Sequence, residues 1–325
     1  MLLRATLVVS LLLACSMARA DLVFKSAHVM VVDETSGEIL LKKNIGVAAP
    51  IASMTKLMTA MVVLDAQQDP NEDLRIDVTD IDSLKHTRGG VQVGAVVSRG
   101  PLLELALLAS DNRAASALAR SYPGGRQAFN AAMQRKIQAF GLDSMSIEEP
   151  TGLSPNNMSS AQDMVTVLRA AARYPAIAQI TSQRSQTVLV SGRHKVIHNT
   201  NQLVGGSEWD VSLSKTGFTN EAGRCLGMRA RADGRTVTIV LMGAANPSER
   251  MQDSMTIRRW LAAKRPSDAA AQSSGPRPTL VPARSRTATL ELDRQRADGG
   301  KEEDEVSESV AEPGPADSRR SSEAI

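Results

Sequence analysis

Two stretches of alternating apolar residues bracket the periodic part of this chain, and they constrain its folding more than any other feature. Ser26-Ala27-His28-Val29-Met30-Val31-Val32 reads as a strand and Glu38-Ile39-Leu40-Leu41 as its partner, joined by a turn at Thr35-Ser36-Gly37. Towards the other end, residues 209–215, 224–231 and 236–241 repeat the pattern, the last two flanking Asp233-Gly234. Between these brackets the spacing predicts helices over 53–67, 102–120, 125–140 and 161–173, with a further helix over 247–263. Consecutive hairpins pair antiparallel, because parallel neighbours need long crossovers. The expected fold is therefore α/β of the α+β type: one antiparallel β-sheet with helices on both faces, plus a helical subdomain inserted between its strands.

Composition sets the limits of that region. Arg4, an apolar run over 5–14 and the small residues around Ala18-Arg19-Ala20 form the pattern of a signal peptide over 1–20. The run is shorter than the about 20 residues that cross a bilayer, and no later stretch approaches that length. The expectation is a secreted, periplasmic protein with no transmembrane segment. Leu12-Leu13-Ala14-Cys15 gives a weaker lipoprotein reading through Cys15, since Leu13 is bulkier than that position usually carries. If Cys15 leaves with the signal, Cys225 is the remaining thiol, and its strand-like setting reads as a buried, inert group. Beyond Ala263 the chain turns to Pro, Ser, Arg and the acidic run 302–305, so 21–265 is expected to fold and 266–325 to stay a disordered, solvated tail. A net charge of +3 without basic clustering, together with 2% aromatic residues, argues against nucleic-acid binding.

Three short polar motifs punctuate the folded region: Ser53-Met54-Thr55-Lys56, Ser110-Asp111-Asn112 and Lys215-Thr216-Gly217. Each has a plainer reading, as a helix cap, an interhelical turn and a strand end. Ser212-Leu213-Ser214-Lys215 repeats the first pattern, but in a strand that odd spacing sends the two side chains to opposite faces. Ser53 and Lys56 lie one helical turn apart on one face, within reach of a shared proton. Ser154-Pro155-Asn156 matches the second pattern in a surface-loop context, whereas Ser110 joins two helical runs that can present it to the sheet edge. In the third motif Lys and Thr alternate faces at a strand end, and Gly217 removes a side chain so that a substrate backbone can lie close.

Taken together the three describe acyl transfer. A nucleophilic serine needs a base, an acid for the leaving amine and preorganised N–H groups for the oxyanion. His28, His86, His194 and His198 show neither nucleophile-adjacent nor metal-ligand spacing, so no metal and no cofactor is expected. Lys56 takes the base role, which requires its pKa to fall through burial and a second cation, with Lys215 as the candidate.

In order and context these motifs resemble the low-molecular-mass penicillin-binding proteins, the serine D-alanyl-D-alanine carboxypeptidases and endopeptidases, with the endopeptidase branch nearest. The supporting stretches include 50–61, 112–115, Tyr122-Pro123-Gly124-Gly125, 149–154, Asn199-Thr200-Asn201 and 215–220, and the resemblance spans about 21–264. It implies a penicillin-binding/β-lactamase-like transpeptidase fold. It also implies an acyl-enzyme on Ser53, proton abstraction by Lys56, and proton relay and substrate holding by Ser110 and Asn112. Lys215 and Thr216 would bind a substrate carboxylate, and the N–H groups of Ser53 and Phe218 would form the oxyanion hole. The implied partners are peptidoglycan peptides and β-lactam antibiotics; the resemblance leaves the tail unexplained, and binding of other wall enzymes by it is a separate, secondary reading beside that of a solvated segment. Two other readings stay open: a serine β-lactamase, whose Glu-x-x-x-Asn spacing is missing from 149–154, and a non-catalytic wall-binding or antibiotic-sensing protein.

Overall fold

A computed structural model describes residues 22–87 and 89–264; the expected signal peptide over 1–20, with Cys15, and the expected tail over 266–325 lie outside the described residues. Strands β1 (His28–Asp33), β2 (Ile39–Lys43) and the short β3 (Ala49–Pro50) lead to a 3-10 turn at Ala52–Met54 and helix α1 (Thr55–Asp65). There follow β4 (Asp73–Arg75), β5 (Val96–Ser98), α2 (Arg99–Leu107), α3 (Asn112–Arg120), α4 (Gly125–Ala139), β6 (Met158–Ser159), α5 (Ala161–Ala171) and α6 (Pro175–Thr181). The hairpin β7 (Ser185–Val190) and β8 (Arg193–His198) precedes β9 (Asp210–Thr219), β10 (Gly223–Ala232), β11 (Arg235–Ala244) and α7 (Pro247–Ala263).

The two bracketing strand groups close on each other. β1 pairs antiparallel with β11 from His28↔Met242 to Asp33↔Val237, giving a five-stranded sheet in the order β2-β1-β11-β10-β9 with β9 at one edge. Both faces are covered, and strand alternation sorts the side chains. Val29 and Val31 of β1 and Val237, Ile239 and Leu241 of β11 join Ile257 and Leu261 of α7 in one core. Met30, Val32, Val240 and Met242 face the other way, into a larger core shared with α1 and α5.

Helix α1 is the centre of that larger core. Every residue from Thr55 to Val63 is buried, so the helix has no solvent face before its last two residues. α2, α3, α4 and α5 pack around it. Side-chain caps fix where several of these helices begin: Asp111 accepts from the Ala114 N–H at 2.9 Å, Ser160 from Asp163, and Asn246 from Glu249 just ahead of Pro247.

The helical stretch expected over 102–120 is two helices, parted at Leu108–Asp111 where Ser110 takes φ +59°, in line with the interhelical-turn reading of that motif. The β7–β8 hairpin and α6 are additional; the hairpin's turn dipeptide Ser191-Gly192 sits between apolar runs, which is the local signal for it. Leu168 of α5 is fully buried in the larger core. Leu168→Ala is expected to lower the unfolding free energy by about 3 kcal/mol, measured as a shift of the urea midpoint at constant slope.

Candidate active site

Ser53 stands in a forced turn. Ala52 takes φ +48°, folding the chain from β3 into the 3-10 turn that runs on into α1. The capping role is not used: neither the turn nor α1 has a side-chain cap. Ser53 Oγ instead meets Lys56 Nζ at 2.9 Å, and Nζ also reaches Asn112 Oδ1 at 2.7 Å and the Thr151 carbonyl at 2.7 Å. Those contacts suit an uncharged amine as well as an ammonium. Its two N–H bonds go to Asn112 and Thr151, and its lone pair faces the hydroxyl proton of Ser53.

Burial pushes Lys56 down to about 8, although the charges of Glu149, Asp111 and Asp82 favour the ammonium. Desolvation is the largest cause, and across the cleft Lys215 and Lys56 repel each other; burial, Lys56 and Arg250 together hold Lys215 well below the ordinary lysine range.

Lys215 Nζ donates to Ser110 Oγ at 2.8 Å and to the Thr216 carbonyl at 3.1 Å. Ser110 is thus joined to the third motif, and Asn112, the first residue of α3, to the first. Asn112 Nδ2 donates to Thr87 Oγ1 at 2.9 Å, so both ends of this amide are engaged within the protein. Thr216 Oγ1 lies 2.6 Å from Thr200 Oγ1. The motif does not end its strand as expected; β9 runs on to Thr219. Gly217 also makes a contact that was not foreseen. A Cβ there would sit 2.7 Å from the Ile51 carbonyl oxygen and 3.2 Å from Ser53 N, so its bare backbone lets the sheet edge lie against the serine turn.

A cleft of about 240 Å³ is lined by Ser53, Ser110, Thr200, Thr216, Gly217, Phe218, Arg224 and Arg250. All eight predicted residues therefore meet at or directly behind one site, while the two decoys do not join it. Ser212 Oγ donates to the Arg229 carbonyl on β10, and Ser154 Oγ to Glu148. Arg224 and Arg250 escaped the sequence reading, and Thr200, though within one of the stretches that carry the resemblance, was given no role in the site. The Arg224 guanidinium stacks 3.6 Å over the Phe218 ring, and Arg250 leans on the Cys225 carbonyl from the first turns of α7. Cys225 itself is buried, and desolvation raises its thiol to about 11, the inert state expected.

The loop at 149–154 was also missed as a structural part of the site. Glu149 accepts from the N–H groups of Thr151, Gly152 and Leu153 at 2.6–2.7 Å, curling the loop so that the Thr151 carbonyl faces Lys56. Gly152 has φ +86°, and a Cβ on it would lie 2.0 Å from the Ala52 carbonyl oxygen.

A family model described as D-alanyl-D-alanine carboxypeptidase matches residues 16–246. A D-alanyl-D-alanine endopeptidase of Pseudomonas aeruginosa is 38% identical over 276 residues, covering 84% of this chain and 85% of that protein. An Escherichia coli D-alanyl-D-alanine endopeptidase is 38% identical over 238 residues, 73% of this chain and 77% of its own. The solved D-alanyl-D-alanine carboxypeptidase of Mycobacterium tuberculosis superposes with a TM-score of 0.67 at 28% identity, covering 75% of this chain and 94% of that one. The sheet with its helical insertion is thus a penicillin-binding fold.

The fit of Gly152 under the serine turn yields a direct check. Gly152→Ala must move Ala52 and Ser53 apart from the loop, so it is expected to lower the thermal midpoint by several degrees, the size of about 1–3 kcal/mol of local strain. It should also abolish covalent trapping of Ser53, read by intact-protein mass.

Proposed function

The chain belongs to the D-alanyl-D-alanine carboxypeptidase family of serine peptidases, and on that premise we propose that it cleaves D-alanyl bonds of peptidoglycan stem peptides or their cross-links through an acyl-enzyme on Ser53. One observation carries the reading: the Ser53 hydroxyl lies 2.9 Å from a buried lysine amine poised near neutrality. Lys56 takes the hydroxyl proton as Oγ attacks the D-alanine carbonyl carbon, and the N–H groups of Ser53 and Phe218 receive the oxyanion. Ser110, hydrogen-bonded to Lys215, passes a proton to the departing amine. Water then attacks the ester along the same relay.

The leaving residue carries a free carboxylate beside the scissile amide. Lys215, Thr216 and Arg250 form the clamp for it, and the arriving anion offsets the burial and the two cations that hold Lys215 well below the ordinary lysine range. Asn112 Nδ2 has a second N–H to offer the substrate backbone. A terminal D-alanine and a cross-link to the D-centre of diaminopimelate place that carboxylate alike, so one clamp serves carboxypeptidase and endopeptidase cleavage. The two 38% identical relatives favour the endopeptidase reaction.

Glu149 separates this reading from a β-lactamase. Its oxygens are taken up by N–H groups of its own loop, so it is not placed to activate a deacylating water. Penicillins acylate Ser53 and stay. The reading also takes in export to the periplasm by a cleaved segment 1–20, a catalytic domain over 21–265 and a tail over 266–325 that engages other wall enzymes, supported by composition. Among the described residues no helix is long and apolar enough to cross a membrane.

A fluorescent penicillin should label the wild type and leave Ser53→Ala unlabelled; equal labelling would remove Ser53 from the mechanism. Muropeptide mass analysis after incubation then separates loss of cross-linked dimers, the expected result, from loss of terminal D-alanine alone. Because only the neutral amine accepts a proton, the acylation rate is expected to fall about tenfold per pH unit below a midpoint near 8 and to level off above it, read by stopped flow.

A further inference from the structure

The orientation of the Asn112 amide is set from outside the three motifs. Its oxygen must face Lys56 for the amine to keep its lone pair towards Ser53, because the amide nitrogen in that place would donate into the lone pair and block it. What decides between the two orientations is the group at the other end. Thr87 Oγ1 receives Asn112 Nδ2 at 2.9 Å, and Thr87 Oγ1 in turn donates to Asp82 Oδ2 at 2.8 Å. With its one proton committed to a carboxylate, the Thr87 hydroxyl can act only as an acceptor towards Asn112. A flipped amide would set oxygen against oxygen at Thr87 and nitrogen against nitrogen at Lys56.

Asp82 is itself locked. Oδ1 accepts from Leu84 N at 2.8 Å and Lys85 N at 3.0 Å, and Oδ2 from Thr87 N at 2.9 Å as well as from the hydroxyl. Burial works against the ionised form, yet those donors hold the carboxyl below its usual range, so it stays an acceptor. The chain of polarity therefore runs one way, from carboxylate to hydroxyl to amide to amine.

We propose that Thr87 and Asp82 are positioning residues for the catalytic base: their hydrogen bonds hold the Asn112 amide with its oxygen on Lys56, keeping the amine lone pair free for the Ser53 proton. The assignment rests on Lys56 being the base, and it gives a function to two residues of the segment between β4 and β5. The charged groups acting on Lys56 from its surroundings are Glu149, Asp111 and Asp82, with Lys215 across the cleft. Of the four, only Asp82 loses a hydrogen bond when the Thr87 hydroxyl is removed, and it keeps the N–H donors of Leu84, Lys85 and Thr87.

Thr87→Val removes the hydroxyl and with it the penalty on the flipped amide. Acylation by benzylpenicillin, followed across pH 6–10 by stopped flow, is expected to slow by about tenfold or more, the effect of one buried hydrogen bond to a group that must stay neutral. Its midpoint should also move to lower pH, because an amide N–H donated to Nζ stabilises the uncharged amine. Thr87→Ala should give the same shift, and Thr87→Ser should recover most of the rate. A folded Thr87→Val or Thr87→Ala enzyme with wild-type rate or an unmoved midpoint would overturn the proposal, as would failure of Thr87→Ser to recover. Lys56→Ala measured alongside separates the two levels: if it acylates like the wild type, the base assignment itself falls, whereas an inactive Lys56→Ala beside an unshifted Thr87→Val removes only the positioning role.

Discussion

A lysine amine kept out of water beside a serine hydroxyl is the condition on which the rest of this molecule depends. Lys56 is nearly inaccessible, on a helix buried from its first residue to beyond its middle. Desolvation of that kind is costly for the charged form, and it is the largest influence drawing the amine towards neutrality. Keeping it dry requires five elements to converge: the serine turn, the 149–154 loop, the start of α3, the segment carrying Thr87, and the edge strand β9. The closeness of these contacts is visible at Gly217 and Gly152, where a single added carbon would collide with the serine turn.

The carboxylates around the site show how that neutrality is balanced. Asp82, Asp111 and Glu149 all favour the lysine's charged form, yet none touches it. Each is saturated by backbone N–H groups instead: Asp111 by Ala114 and Gly90, Glu149 by its own loop, Asp82 by Leu84, Lys85 and Thr87. A direct ion pair would lock the ammonium and remove the base. Carboxylates held at a distance by N–H donors give the loops their shape and leave the amine able to exchange its proton. Across the cleft the balance is opposite, with Lys215, Arg224 and Arg250 gathered around a space that suits an anion.

The strands of the main sheet and most of the helices were legible because each follows a local period. Alternation in Val29, Met30, Val31 and Val32 sorts directly into two cores, and the apolar run before Ser110 ends where the polar triplet begins. The decoy Ser212–Lys215 could be set aside from strand geometry alone. Less was legible where partners are far apart in the chain. Arg250 enters the cleft from the final helix, Thr200 from the loop after a hairpin that was not foreseen, and Thr151 through a backbone carbonyl that no side-chain pattern marks. How far the lysine is buried was likewise not legible, since burial is a property of the assembled core.

What the residue order determined unaided is what short-range periodicity and chemistry can specify: an antiparallel sheet bracketing a helical insertion, a serine and a lysine one turn apart, and motifs of types suited to acyl transfer. Tertiary structure alone decided which carbonyl, amide and hydroxyl surround the amine, and hence which way their protons point. Hydrogen-bond polarity is a property of a closed three-dimensional chain of donors and acceptors, and residues 82, 87, 112 and 56 become such a chain only when the fold brings them together.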